Sequence, residues 1–286
     1  MLYVELFVQG LIQGSIYALI AVGLTLVYGM LRVLHVAHAG LFTLGGYLGV
    51  IVTNATGSLL LGLLVAMVVV GFIGVAIYRF AYHPILKHPP FVALIASIGL
   101  YIAMEEIFRI IFGPYGLTYE TQPLQGHVAV LGMRIKIAEL ATFFGAIVTL
   151  GVLGYLSSST RTGIAWRATV TAPKMAEAFG VDILKVRYLN FFIGSALAAA
   201  AGVMVALLNN LVEPTSGAVP SYKALAIIVL GGLGSLRGTL VACFALGVIE
   251  AYGTIYLGWL MDRDAIAFLF LILVLMIRPQ GLFARA

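Results

Sequence analysis

Few side chains in this sequence could do chemistry, and most of them sit in apolar surroundings. His35 and His38 stand three apart, a spacing that puts two imidazoles on one face of a helix. A zinc site needs three or four ligands. No cysteine and few carboxylates stand near the two histidines, so the pattern predicts no metal and no other cofactor. Glu105 and Arg109 are at i,i+4, the spacing of a pair along one helix. With Glu106 beside them, they read as a self-neutralised pair inside a span. Glu250 is the lone acid of its apolar run and faces either another subunit or a solute path. Gln13 and Ser15, early in the first apolar run, either hydrogen-bond a neighbouring helix or line such a path. Gln13, Ser15, His38 and Glu250 are therefore the candidates for a path or a subunit contact. No G-x-S-x-G, H-E-x-x-H or G-x-x-x-x-G-K-[ST] pattern occurs. The chain reads as something other than an enzyme, and any ATP it uses is hydrolysed by a separate chain.

The elements that position these groups are set by composition. Of 286 residues, 62% are hydrophobic and only 9% charged, with a mean hydropathy of +1.11. Water-soluble domains carry roughly 25% charged residues. Apolar runs near the ~20 residues that cross a bilayer recur along the chain. They predict an all-α, polytopic transmembrane bundle of about eight to nine spans, one of them short or broken, as a single domain over residues 1–286. The expected spans are Val8–Leu31, Val36–Thr53, Leu59–Tyr78, Phe91–Phe112, Ile137–Leu156, Tyr188–Leu211, Tyr222–Gly234, Gly238–Leu257 and Ala265–Ile277. The first has only Glu5 before it and no basic flank, so it reads as a retained helix rather than a signal peptide. The seventh is short and ends in Gly231, Gly232 and Gly234, and a break of that kind belongs inside protein. The small-residue patches Ser195–Gly202 and Gly231–Gly238 suit close helix contacts. Between the fourth and fifth spans, Gly113–Lys136 has turn chemistry followed by partial alternation, the sign of a short strand. The single cysteine, Cys243, excludes an intrachain disulfide.

Net charge is +5, which in a membrane protein marks inner loops rather than nucleic-acid binding. With the N-terminus outside and the C-terminus inside, Arg32, Arg79, Lys87, Arg161, Arg167, Lys174, Lys185, Arg187, Arg237, Arg278 and Arg285 fall inside. Arg134, Lys136, Lys223 and Arg263 fall outside. Five of the inner residues belong to one polar island, Ser158–Arg187, which holds only Glu177 and Asp182 against them. Thr171 as N-cap and Pro173 in the first turn start a short helix there, and Gly180 stops it. The island is either a docking surface for a cytoplasmic protein or an interfacial helix lying on anionic lipid.

The island's Arg167-Ala168-Thr169, Pro173, small residues and Gly180 precede an apolar span containing Ala199-Ala200-Ala201-Gly202. This order resembles the permeases of branched-chain amino acid ABC importers, the LivH type. Nearly the whole chain takes part. GLIQGSIYALIAVGLTLVYGMLRVLHVAHAG is similar to the family's first two spans, and LGGLGSLRGTL and RDAIAFLFLILVLMIRPQGLF to its later signatures. Where the family usually has Asn-Phe-Ala-His-Gly-Asp, this chain reads His35-Val36-Ala37-His38-Ala39-Gly40, without the acid. Where the family often has Pro-Glu-Ala-Ala, it has Pro173-Lys174-Met175-Ala176.

The resemblance implies a permease subunit in a bacterial inner membrane. Its path would carry branched-chain or related amino acids delivered by a periplasmic binding protein. Its partners would be two ABC ATPase subunits and a second permease, either LivM-like or a copy of itself. The ATPase-coupling residues would be Pro173, Lys174, Ala176, Glu177, Ala178 and Gly180, in the cytoplasmic loop 158–187. Urea, amides or small organic acids are the alternative cargoes within the family. An ion-coupled secondary transporter, a class with broken helices of its own, is the alternative outside it.

Overall fold

A computed structural model describes residues 2–130, 133–278 and 281. Pro279, Gln280, Leu282 and Phe283 of the terminal signature, and Arg285 of the charge count, lie outside the described residues. The chain is a helical bundle. In order come α1 (Leu2–Leu31), α2 (His38–Thr56), α3 (Leu59–Ile77), a π-helical turn (Tyr78–Tyr82), α4 (His83–Ile85) and α5 (Pro90–Phe112). Then follow an antiparallel hairpin of β1 (His127–Val130) and β2 (Met133–Lys136), α6 (Ile137–Ser159), α7 (Arg161–Thr171), α8 (Pro173–Ala178), α9 (Ile183–Asn209), α10 (Ala218–Gly231), α11 (Leu236–Leu257) and α12 (Arg263–Ile277). Among the described residues, seven helices are long and apolar enough to cross a bilayer. In lipid a helix satisfies its own backbone groups, so apolar runs of this length have no competing conformation.

Two helices form the centre. The most apolar stretch of α1 is 89% buried and that of α9 78% buried, against 17% for α5 and 22% for α6. α1 packs against α11, α9, α6 and α10, while α9 also packs against α2 and α3. Glycine makes the close crossings possible. A side chain at Gly202 would strike the Phe42 carbonyl, and one at Gly45 would strike the Ala199 backbone. Gly202→Ala is expected to destabilise the fold by about 1–3 kcal/mol, the usual cost of overpacking. Gly154, which has open space around it, is the control: Gly154→Ala leaves the melting temperature unchanged or raises it. Thermal unfolding in detergent reads both.

The short seventh span is real and its break is buried. At 14 residues, α10 is about 21 Å long, less than the ~30 Å hydrocarbon core. It ends at Gly231 and Gly232, and Gly232 has a φ of 96°. Gly231 lies so close to Gly238 and Thr239 at the start of α11 that a side chain there would collide with their backbone.

Several expectations change in detail. The first span starts at Leu2 rather than Val8, and the third runs on helically through the π-turn to Ile85. Lys223 is not in a loop at all: it lies in the first half of α10 and is buried. Thr171 is not an N-cap. It ends α7, donating its hydroxyl to the Arg167 carbonyl, and Ala172 occupies the cap position. The partial alternation of the long loop is the β1–β2 hairpin, and Leu117 bridges to Val212 across the same end of the bundle.

Candidate functional site

Two sites emerge, one at each end of the bundle. The first is the polar island, folded into α7 and α8. Thr160 caps α7 by accepting from the Gly163 N–H at 3.1 Å. Gly163 is required because a side chain there would strike the Leu156 and Ser157 carbonyls at the end of α6. The Arg167 guanidinium donates to that same Ser157 carbonyl, so α7 is pinned to the membrane helix that precedes it. Ala172, at φ −146° and ψ 76°, reverses the chain, and Pro173 opens α8.

The stop of α8 is a Schellman motif. The Val181 N–H donates to the Ala176 carbonyl at 3.0 Å and the Gly180 N–H to Glu177 at 2.9 Å, with Gly180 at φ +83°. Asp182 then caps α9 by accepting from the Lys185 N–H at 3.1 Å. That N–H, with the Lys185 ammonium at 3.2 Å, holds the Asp182 carboxyl below its ordinary range. A depressed carboxylate pKa stabilises above the unfolded value, so this cap is present at neutral pH and is lost as pH falls through the folded value.

Five of the six coupling candidates point outward: Pro173, Lys174, Glu177, Ala178 and Gly180 are exposed. Ala176 is turned in, 5% exposed. It lines the apolar groove between α7 and α8. Two residues that were not candidates are more conspicuous. Phe179 is 84% exposed and Met175 63% exposed. Together with Ile164, Ala165, Ala168, Ala172 and Val181 they edge an open apolar groove of about 470 Å³ between α7 and α8, with Arg161 also on its lining. The signal for them was present in the sequence, as large apolar residues next to the Gly180 stop.

The second site is an ionic cluster at the opposite end, where the hairpin lies. Lys223 on α10 donates to Glu250 on α11 at 2.9 Å and pairs with Asp264 on α12 at 2.7 Å. Arg263 donates to Glu250 at 2.8 Å, and the Tyr17 hydroxyl of α1 donates to the same carboxylate at 2.7 Å. Two cations and two anions balance. Glu250 is completely buried and Lys223 nearly so. The cluster therefore ties the short α10 to three other helices. Glu250 lies inside the chain, bound to these partners. Ser15 is also fully buried, donating to the Ile12 carbonyl of its own helix at 2.6 Å. Gln13 is half-buried on the same helix. The signal missed was the lone lysine in an apolar run, whose natural partner is the lone glutamate of the next one.

His35 and His38 do meet, with ring centroids 5.7 Å apart. His35 Nδ1 shares a hydrogen bond with the Tyr82 hydroxyl at 2.6 Å, and the Ala37 N–H donates to Ser97 at 2.9 Å. Both rings are buried, and His38 packs against Gly23 of α1. Among the described residues no three His, Cys, Asp or Glu side chains converge as a metal site.

A bundle with a buried half-helix, no phosphate loop and a docked pair of surface helices is the setting for the family match. The family described as "Branched-chain amino acid transport system / permease component" matches residues 6–278. The chain belongs to that family. It is 30% identical to the high-affinity branched-chain amino acid transport system permease protein LivH of Escherichia coli K12, over 99% of this chain and 96% of the relative. It is equally similar, over the same shares, to BraD of Pseudomonas aeruginosa, described in the same terms. The LivM permease protein of Escherichia coli K12 is 24% identical over 93% of this chain and 67% of its own length. A structure of PsaBC from Streptococcus pneumoniae in complex with Fab has a TM-score of 0.53 and 11% identity, over 95% of this chain and 91% of that one. At that identity the likeness shows the fold alone. The permease is thus a multi-pass membrane protein and not itself an enzyme.

Proposed function

We propose that this permease forms half of the membrane path of an ATP-driven importer for branched-chain amino acids, with α7 and α8 facing the cytoplasm as its coupling element. The observation that carries the reading is the uncovered apolar face of that two-helix unit. Exposed patches of this kind mark contacts with other proteins. Here it sits on an element pinned to α6 by Arg167 and continuous with α9 through the Asp182 cap. A push on α8 is therefore passed to the central helix of the bundle, which is how a rigid element transmits motion. The side chains on the unit favour a protein over lipid. An interfacial helix turns its apolar side chains into the bilayer, whereas Met175 and Phe179 stand at the edge of a groove. Two ATPase subunits, a second permease and a binding protein on the outer side complete the assembly.

The substrate class rests on the near full-length likeness to LivH and BraD, whose names specify branched-chain amino acids. The test is competition in proteoliposomes holding the complete complex, with ATP inside and binding protein outside. Unlabelled isoleucine and valine are expected to suppress uptake of labelled leucine more than tenfold, while urea and short amides leave it unchanged. Suppression by urea or amides, with isoleucine and valine inactive, would move the permease to another cargo.

A further inference from the structure

The ionic cluster around Lys223 holds more charge than a tie between helices requires. Glu250 lies about two turns inside the hairpin end of α11, roughly 10 Å deep. Ionised groups at such depth are costly, and in membrane proteins they mark the paths of solutes and ions. A buried ion pair is often no more stable than apolar side chains of the same volume. Stability alone therefore gives no reason for two cations and two anions to converge here.

The cluster is also graded in depth. The Asp264 and Arg263 side chains are 44% and 43% exposed, those of Lys223 and Glu250 only 4% and 0%. It runs from the surface of the bundle into its interior. Beside Lys223 lies a small cavity of about 10 Å³, too small for a side chain as it stands. Its other walls are apolar and include Ile227 and Leu230 of α10, Leu246 of α11, and Ala267 and Leu271 of α12. The Lys223–Asp264 pair and the cavity thus share one seam, with α10 on one side and α12 on the other. Among the described residues of α12, only Ile266 and Ala267 are buried, so little packing within this chain holds that helix in place. A small displacement of α12 from α10 parts Lys223 from Asp264 and widens the cavity together.

We propose that this seam is a binding site for a zwitterionic α-amino acid with an aliphatic side chain. The ligand's carboxylate takes the place of Asp264 at the Lys223 ammonium. Its own ammonium pairs with the Asp264 carboxylate so released, and its side chain enters the widened cavity against Ile227, Leu230 and Leu246. Glu250, bonded to Lys223, Arg263 and the Tyr17 hydroxyl, keeps the lysine in position. Charge decides the ligand class. The cluster holds two charges of each sign, and a ligand carrying one of each enters with every charge still paired. An organic acid leaves Asp264 without a cation, and an amine leaves Lys223 without its second anion, which is costly away from water. Urea and amides offer a charge to neither. The proposal rests on the importer reading and names where its path holds the cargo.

The test is equilibrium binding of tritiated leucine to the complete complex in detergent, without the binding protein. Saturable binding is expected, displaced by unlabelled isoleucine and valine. 4-Methylpentanoate and 3-methylbutylamine, which keep the side chain but carry one charge each, are expected to leave it in place. Asp264→Asn is expected to weaken binding by about tenfold or more, the loss of one charged hydrogen-bonded contact, and Asp264→Glu to retain most of it. Lys223→Met combined with Glu250→Gln keeps the charges balanced and is expected to remain folded, by its melting temperature, while losing leucine binding. Three results would each overturn the proposal: no saturable binding by the wild-type complex, equal displacement by the two singly charged analogues, or undiminished binding by Asp264→Asn or by the folded double variant. ATP-driven leucine uptake by the wild-type complex with binding protein, measured alongside, judges the importer reading separately: uptake together with any of those results removes this site and leaves that reading standing.

Discussion

Phe179→Asp is expected to weaken binding of the ATPase subunits to this permease by about 30-fold or more, with membrane insertion and thermal stability unchanged. The ring is 84% exposed, so the folded chain alone loses little when it is removed. In the complex the position is different. Aromatic anchors that fill a partner's cleft carry about 2 kcal/mol or more of binding energy, and 1.4 kcal/mol is tenfold in affinity. A carboxylate in that cleft adds the cost of burying an unpaired charge. Met175→Ala acts in the same direction with a smaller effect, because methionine adapts its shape to the contact. Lys174→Glu, a charge reversal on the exposed rim of α8, falls between neutrality and the Met175 effect. Biosensor titration of the purified permease with its ATPase measures all three. Unchanged affinity for Phe179→Asp would remove α8 from the contact.

The second large effect concerns the ionic cluster. Lys223→Met is expected to destabilise the permease by about 3 kcal/mol or more, the usual result of removing one partner of a buried pair. Glu250 would keep Arg263 and Tyr17, but Asp264 would lose its lysine and the cluster would carry an uncompensated negative charge. Lys223→Met combined with Glu250→Gln removes one charge of each sign. The double variant is therefore expected to recover most of the loss, giving a coupling between the two sites well above 1 kcal/mol. Thermal unfolding of the four proteins of this cycle in detergent supplies the numbers. Additive losses would mean that Lys223 and Glu250 do not act as a pair.

Much of this architecture was legible because lipid leaves so few choices. Long apolar runs have to be helices, and Gly231, Gly232 and Gly234 read as the end of a short one. Pro173 and Gly180 likewise bracketed α8, since one suits a first turn and the other a left-handed stop. The details that escaped are those fixed by tertiary contact. Thr171 has the side chain of an N-cap, but Thr160 already starts α7, and helix continues through Thr171. Lys223 looked like an outer-loop charge because a lysine near a span boundary usually is one. Its burial depends on Glu250 and Asp264 arriving from two later helices. Ala176 reads as part of a docking face by its place in the motif, and it lies turned inward on the lining of the groove. The groove itself, with Met175 and Phe179 at its edge, needed the turn at Ala172 to set α8 against α7.

The glycines divide on the same line. Gly202 and Gly231 belong to small-residue patches visible in the sequence, and both are closed by backbone from another helix. Gly99 is indistinguishable from them by sequence alone, and only the structure shows that, like Gly154, it has open space beside it.

We propose that an ATPase drives this permease through α8. The most direct test is the amount of leucine accumulated per ATP hydrolysed in proteoliposomes holding the complete complex, with ionophores present to abolish ion gradients. Wild-type permease is predicted to accumulate leucine against its gradient in proportion to ATP hydrolysed. Under the same conditions Phe179→Asp is predicted to accumulate almost none, whatever ATPase activity remains. Accumulation by Phe179→Asp at the wild-type ratio, or uptake by wild-type permease that stops when the ionophores are added, would contradict the account.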